Sequence, residues 1–139
     1  MSEFKHVTTD AAVATYDSAI GVFTALLHEV RELSKKKPDA TMSSSKVKLI
    51  NTVLDDLLTV LKADPEAKYL RRLEDEDLPQ VSDALLMMAQ FNAALDAFRK
   101  RYYQFVKVGY SREHHWITAE KLAEWETEDD EVEMDEDEL

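Results

Sequence analysis

The stretch from Pro79 to about Val106, PQVSDALLMMAQFNAALDAFRKRYYQFV, contains no glycine and no proline after its first residue. Ala84, Met88, Phe91, Leu95, Phe98, Tyr102 and Phe105 follow one another at alternating steps of four and three. That spacing sets all of them on one side of an α-helix. Such a helix is about 40 Å long, at about 1.5 Å per residue, and its apolar side needs partners throughout. The chain must therefore supply other helices of similar length. From Ala84 to Phe98 the stretch reads as packing, with Met87 and Met88 as adaptable gap-fillers. Its last part mixes Arg99, Lys100 and Arg101 with Tyr102 and Tyr103, and Gly109 is the expected glycine stop.

The partners are present upstream. Thr8, Thr9 and Asp10 are candidate N-caps for a helix running to about Lys36. Val13, Tyr16, Ile20, Phe23, Leu27 and Val30 form its stripe, and Ala12, Ala19, Leu26 and Leu33 a second row. A face that broad suits two neighbours. Gly21 within it costs about 1 kcal/mol relative to alanine and suggests a close helix crossing. After the polar connection 38–45, which offers caps in Ser43 to Ser45, a second helix is expected over 45–63, with Val47, Ile50, Leu54, Leu57 and Leu61 inward. Asp64-Pro65 reads as a cap followed by proline at the first helical position, opening a short third helix over 65–74.

Two glycines and three prolines leave little turn material for a sheet protein. The expected fold is therefore all-α. Three long helical rods form an up–down–up bundle, the middle one broken at Asp64-Pro65. A short C-terminal helix capped by Thr118, holding Leu122 and Trp125, closes it. Residues 1–126 make the bundle domain and 127–139 an acidic tail, expected to be disordered because its charges repel and it holds little to bury. A fourth rod from a second copy of the chain is the homo-oligomeric alternative.

Charge placement narrows the function. The net charge is −12, but from Glu124 onward there are 11 acidic residues and no Lys or Arg, which leaves −1 for residues 1–123. A near-neutral body argues against direct nucleic-acid binding, which needs a basic surface. The absence of cysteine excludes disulfides and thiolate chemistry. With no signal-peptide pattern and no expected membrane span, the reading is cytoplasmic.

No motif assigns a catalytic residue or a cofactor. His28-Glu29-Val30-Arg31-Glu32 lacks the second histidine of a zinc-binding helix. His114 and His115 are weak metal candidates, since adjacent helical positions point about 100° apart. Asp55, Asp56, Asp83 and Asp96 read as solvated, and no glycine-rich loop offers a phosphate cradle. The basic cluster of Arg99, Lys100, Arg101, Lys107 and Arg112 is interleaved with Tyr102, Tyr103, Phe105, Tyr110 and Trp116. Tyr, Trp and Arg are the residues enriched where protein partners bind most tightly.

The expected function is a non-enzymatic protein–protein interaction module. Arg99, Arg101, Tyr102, Tyr103, Tyr110, Arg112 and Trp116 are its candidate partner-binding residues. The acidic tail would steer a partner with a basic surface, as an inhibitor or antitoxin-like neutraliser would. The alternative is a small helical enzyme or a ligand- or metal-binding bundle, with a site near Tyr102, His114, His115 and Trp116.

Overall fold

The computed structural model describes Phe4 and residues 6–127. The protein is mostly helical and carries a small β-hairpin. Helix α1 spans Asp10–Lys36, α2 Ser44–Leu61 and α3 Val81–Tyr102. Strands β1 (Tyr103–Val108) and β2 (Ser111–Trp116) follow, and residues 119–127 form a last helix, α4. Three of the expected caps are in place. The Thr9 side chain accepts from the Ala12 N–H and that of Ser43 from the Lys46 N–H. Thr118 caps α4, its Oγ1 accepting from the Lys121 N–H at 3.1 Å.

The three long helices bury the stripes read from the sequence. Phe23, Leu54, Leu57, Leu61, Met88, Phe91, Leu95 and Phe98 are completely enclosed. Burying each such side chain contributes about 1.5–3 kcal/mol, so this face is the main source of stability.

The path between α2 and α3 corrects the expected up–down–up order. At one end of the bundle the turn after α1 bonds to the start of α3, with Met42 N–H donating to Pro79 O and Val81 N–H to Ala40 O, both at 2.8 Å. At the other end Tyr102, closing α3, bonds to Asp64, just past α2. Helices α2 and α3 therefore run parallel, both antiparallel to α1. Residues 62–80 must climb back along α2 to make this possible. The expected helix over 65–74 is a single 3₁₀ turn, Pro65–Tyr69, followed by extended chain. Asn51 secures that climb from inside the core. Its side-chain amide donates to Leu73 O at 2.9 Å and accepts from Leu73 N–H at 2.7 Å. Arg72 reaches Asp55 on α2 at 3.0 and 3.3 Å.

Three further expectations change. The long helix stops at Tyr102, well short of Val106 or Gly109, and Phe105 lies on β1. The physical reason is local. Tyr102 O, which a continuing helix would offer to Val106, instead accepts from Ile117 N–H at 2.7 Å. The sequence beyond it, Tyr-Gln-Phe-Val-Lys-Val, is rich in residues that favour strands. Gly21 makes no close crossing, since a Cβ there would meet nothing within 4 Å. Finally, α1 is long and apolar enough to cross a membrane by length and composition, with mean hydropathy 1.2 over its most apolar window. Apolar residues such as Ala11, Ala14, Val22 and Ala25 on its outer face raise that value, while Tyr16, Ala19, Phe23, Leu27 and Val30 pack inward. The acidic residues 128–139 lie outside the described residues.

Candidate interaction surface

The hairpin closes through the two-residue turn Gly109-Tyr110. Gly109 has φ +64°, the left-handed region that the first position of such a turn demands and that only glycine enters without cost. The register pairs Tyr103 with Trp116, Phe105 with His114 and Lys107 with Arg112. Side chains alternate along a strand, so these three pairs share one face. Gln104, His115, Val106, Glu113, Val108 and Ser111 take the other.

The first face is graded. At its base Trp116 packs edge-on against Tyr16 at 5.3 Å and near Phe98 at 5.6 Å, which ties the hairpin to the core. In the middle His114 stacks on Tyr103, with centroids 5.2 Å apart and planes 19° apart, and Phe105 lies 5.2 Å beyond. The Arg99 guanidinium sits 4.8 Å from the centre of the Tyr103 ring. At the tip Lys107 and Arg112 stand directly opposite each other, and Tyr110 is fully exposed. Phe105 is 59% exposed, so the aromatic column opens to solvent. A groove of about 430 Å³ runs between Asp96, Arg99, Lys100, Tyr103 and His114.

The candidate residues thus divide. Arg99, Tyr103, Tyr110, Arg112 and Trp116 belong to this face or its base. Arg101 and Tyr102 turn inward. Arg101 grips Glu66 with two bonds of 2.9 and 3.0 Å, and its Nη1 lies 3.7 Å from Asp64 Oδ2. These bonds hold the Glu66 carboxyl below its usual range. Asp64 makes no side-chain cap bond for the turn it precedes and serves instead as the buried acceptor for the Tyr102 hydroxyl. Burial first, then the bond to Asp64, push the Tyr102 phenol up to about 12.

His114 and His115 fall on opposite faces, His115 meeting Trp125 of α4 edge-on at 5.5 Å. They do not converge on one ion, and the described residues contain no group of three or more His, Cys, Asp or Glu placed to hold a metal. Tyr102 and His114 likewise line separate cavities, the first of about 210 Å³ between the α1 and α2 ends. Phe105 and Lys107 are the members of the surface that the sequence reading left out of its candidates. The signal for them is the two-residue alternation flanking Gly109-Tyr110. The chain matches no protein-family model, no curated protein and no solved structure.

Proposed function

We propose that this protein is a non-enzymatic protein–protein interaction module whose docking element is the hairpin. One observation carries the reading. Aromatic and cationic side chains are sorted onto a single strand face, anchored by Trp116 and left open from Phe105 to the tip. A rigid base with an exposed aromatic centre and a charged rim is the make-up of a protein-binding patch. The cations suit an acidic segment of the partner. The acidic run from Glu124 onward has the opposite polarity and supports an inhibitor-like contact with a basic region, drawn in by long-range attraction. The test is affinity capture with the wild-type chain and a Phe105→Ser/Arg112→Glu variant of equal thermal stability. A protein recovered by the first and lost by the second supports the surface, and equal recovery by both removes it.

A second reading, pairing of two copies, is favoured by the groove of about 340 Å³ between α1 and α2. Leu26, Leu33, Met42 and Ile50 line it, and Leu49, 54% exposed, forms its lip. Sedimentation across a concentration series should then show a dimer that Leu49→Glu abolishes.

A further inference from the structure

We propose that the hairpin binds by strand addition: the outer edge of β1 takes up an extended segment of the partner in which carboxylates alternate with apolar side chains. The inference rests on the docking reading above and specifies how that surface holds its partner. Three observations carry it.

The first is the hydrogen-bonding pattern. In an antiparallel pair, opposed residues alternate between those that bond to each other and those whose backbone groups point outward. Ile117 N–H donates to Tyr102 O at 2.7 Å, so these two form a bonded pair. Counting from there along the register, Gln104 with His115, Val106 with Glu113 and Val108 with Ser111 are bonded pairs as well. Tyr103, Phe105 and Lys107 therefore turn their N–H and C=O groups away from β2. The Tyr103 N–H is taken by Arg99 O at the end of α3. Those of Phe105 and Lys107 meet no backbone partner among the described residues, where the sheet has two strands only.

The second is which edge is open. The edge on the β2 side is met at its base by the lead-in to α1. Thr8 N–H donates to Ile117 O and Ala119 N–H to Thr8 O, both at 3.0 Å, in a parallel bridge to Thr118. Among the described residues no such bridge reaches β1.

The third is the chemistry on either side of that edge. A strand laid along β1 sets alternate side chains beside Phe105 and Lys107, and the rest beside Val106 and Val108. Arg99, Lys100, Lys107 and Arg112 have no ion-pair partner among the described residues, so carboxylates suit the first set. Lys107 directly opposite Arg112 is also a like-charge pair, which a neighbouring carboxylate relieves. Val106 and Val108 are half-buried and call for apolar neighbours. Lysine on an edge discourages pairing with an uncharged strand, so Lys107 selects for an acidic one. The same charges disfavour a second copy here, since it would bring one set of cations beside another. Backbone bonds would supply affinity, and the alternating side chains specificity.

The test uses the full chain and a capped octapeptide of alternating glutamate and valine. Amide hydrogen exchange is read residue by residue across 103–116. In the free chain Phe105 and Lys107 should exchange much faster than Val106. With about nine-tenths of the protein bound, their exchange should slow about tenfold, because only the free tenth remains open. The same peptide N-methylated at each glutamate keeps its charge but loses its pairing edge, and should bind several-fold more weakly. Binding without protection at Phe105 and Lys107, or equal binding by the N-methylated peptide, overturns strand addition and leaves the docking surface to side chains alone. Protection at Arg112 and His114 instead assigns the other edge and overturns it too. Protection of Phe105 and Lys107 that rises with chain concentration, without peptide, puts a second copy on the edge and overturns the acidic segment. A peptide that fails to bind at millimolar concentration also overturns the inference, whereas the docking reading falls only with the capture experiment above.

Discussion

Phe98 and Phe105 stand one heptad apart and would share a face if the helix continued, yet Phe98 is fully buried and Phe105 is 59% exposed. Between them the chain changes its hydrogen-bonding partner, and with it the meaning of an aromatic residue. In the bundle, aromatics close a core shared by three helices. On the ribbon the bundle supports the aromatic face only at its base, through Trp116, while the other face is half-buried and meets Trp125 of α4 at His115. The difference teaches that periodicity assigns a side chain to a face, while tertiary hydrogen bonds decide whether that face exists.

The comparison is broken most severely at its buried end. Phe98 touches Tyr16, Tyr102 and Trp116. Phe98→Ala should lower unfolding stability by about 3–5 kcal/mol, the cost of a large cavity in a close-packed interior. Guanidinium denaturation measures it. Because Trp116 loses its floor, the hairpin amides should also exchange faster in the variant than in wild type. A stability change no larger than that of a surface substitution would mean that the hairpin is not built on this core.

Next comes the junction between the two regions. Tyr102→Phe removes the hydroxyl that Asp64 accepts from, while Asp64 Oδ2 already has no hydrogen-bond partner. The expected loss is about 1.5–3 kcal/mol, as for a bond to a charged acceptor. The pH dependence has a definite sign. The folded pKa of about 12 lies above the ordinary value of 10.0, so folding favours the neutral phenol. Its contribution is complete below pH 10 and is lost as pH rises towards 12. The stability gap between wild type and Tyr102→Phe should therefore narrow over that alkaline window in denaturant titrations. A gap that stays constant removes the ionisation argument.

The long helices were legible because each residue of their stripes repeats one instruction. Thr9, Ser43 and Thr118 were legible as caps for the same reason, since each acts on its own neighbours. What stayed hidden depends on residues distant in sequence. The halt of α3 at Tyr102 needs Ile117, the return of residues 62–80 along α2 needs Asn51, and Asp64 looks like a cap until Tyr102 is beside it. The hairpin had a local signal, Gly109 flanked by alternating strand-formers. The helical spacing of Phe98, Tyr102 and Phe105 competed with it, and Gly109 served equally well as a helix stop. For the candidate site, residue types were readable but directions were not. Arg99 and Arg101 look alike in sequence, and only packing turns Arg101 towards Glu66.

The two glycines sharpen the contrast at about 1 kcal/mol each, with opposite signs. Gly21 lies on the outer face of α1 with open space around it, so Gly21→Ala should raise stability by about 0.5–1 kcal/mol. Gly109 also has open space, but its φ of +64° strains any side chain, so Gly109→Ala should cost about 1 kcal/mol, expressed as fraying of the hairpin. Thermal unfolding of both variants measures the sign, and amide exchange at residues 103–116 locates the second effect. Two changes of the same sign would refute the claim that backbone conformation, not space, distinguishes these sites.

The smallest expected effect on stability is at Phe105. Its side chain is more than half exposed and its one ring neighbour among the described residues is His114. Phe105→Ser should change unfolding stability by no more than about 0.5 kcal/mol, the range of ordinary surface substitutions. It removes the centre of the exposed face while leaving Lys107 and Arg112 in place, so any partner held by apolar contact should dissociate faster, whereas one held by charge alone should retain its salt-dependent association rate. Surface plasmon resonance with a captured partner, at two salt concentrations, separates those outcomes. A stability loss comparable to that of Phe98→Ala would instead place Phe105 in a core, and the contrast between the two phenylalanines would collapse.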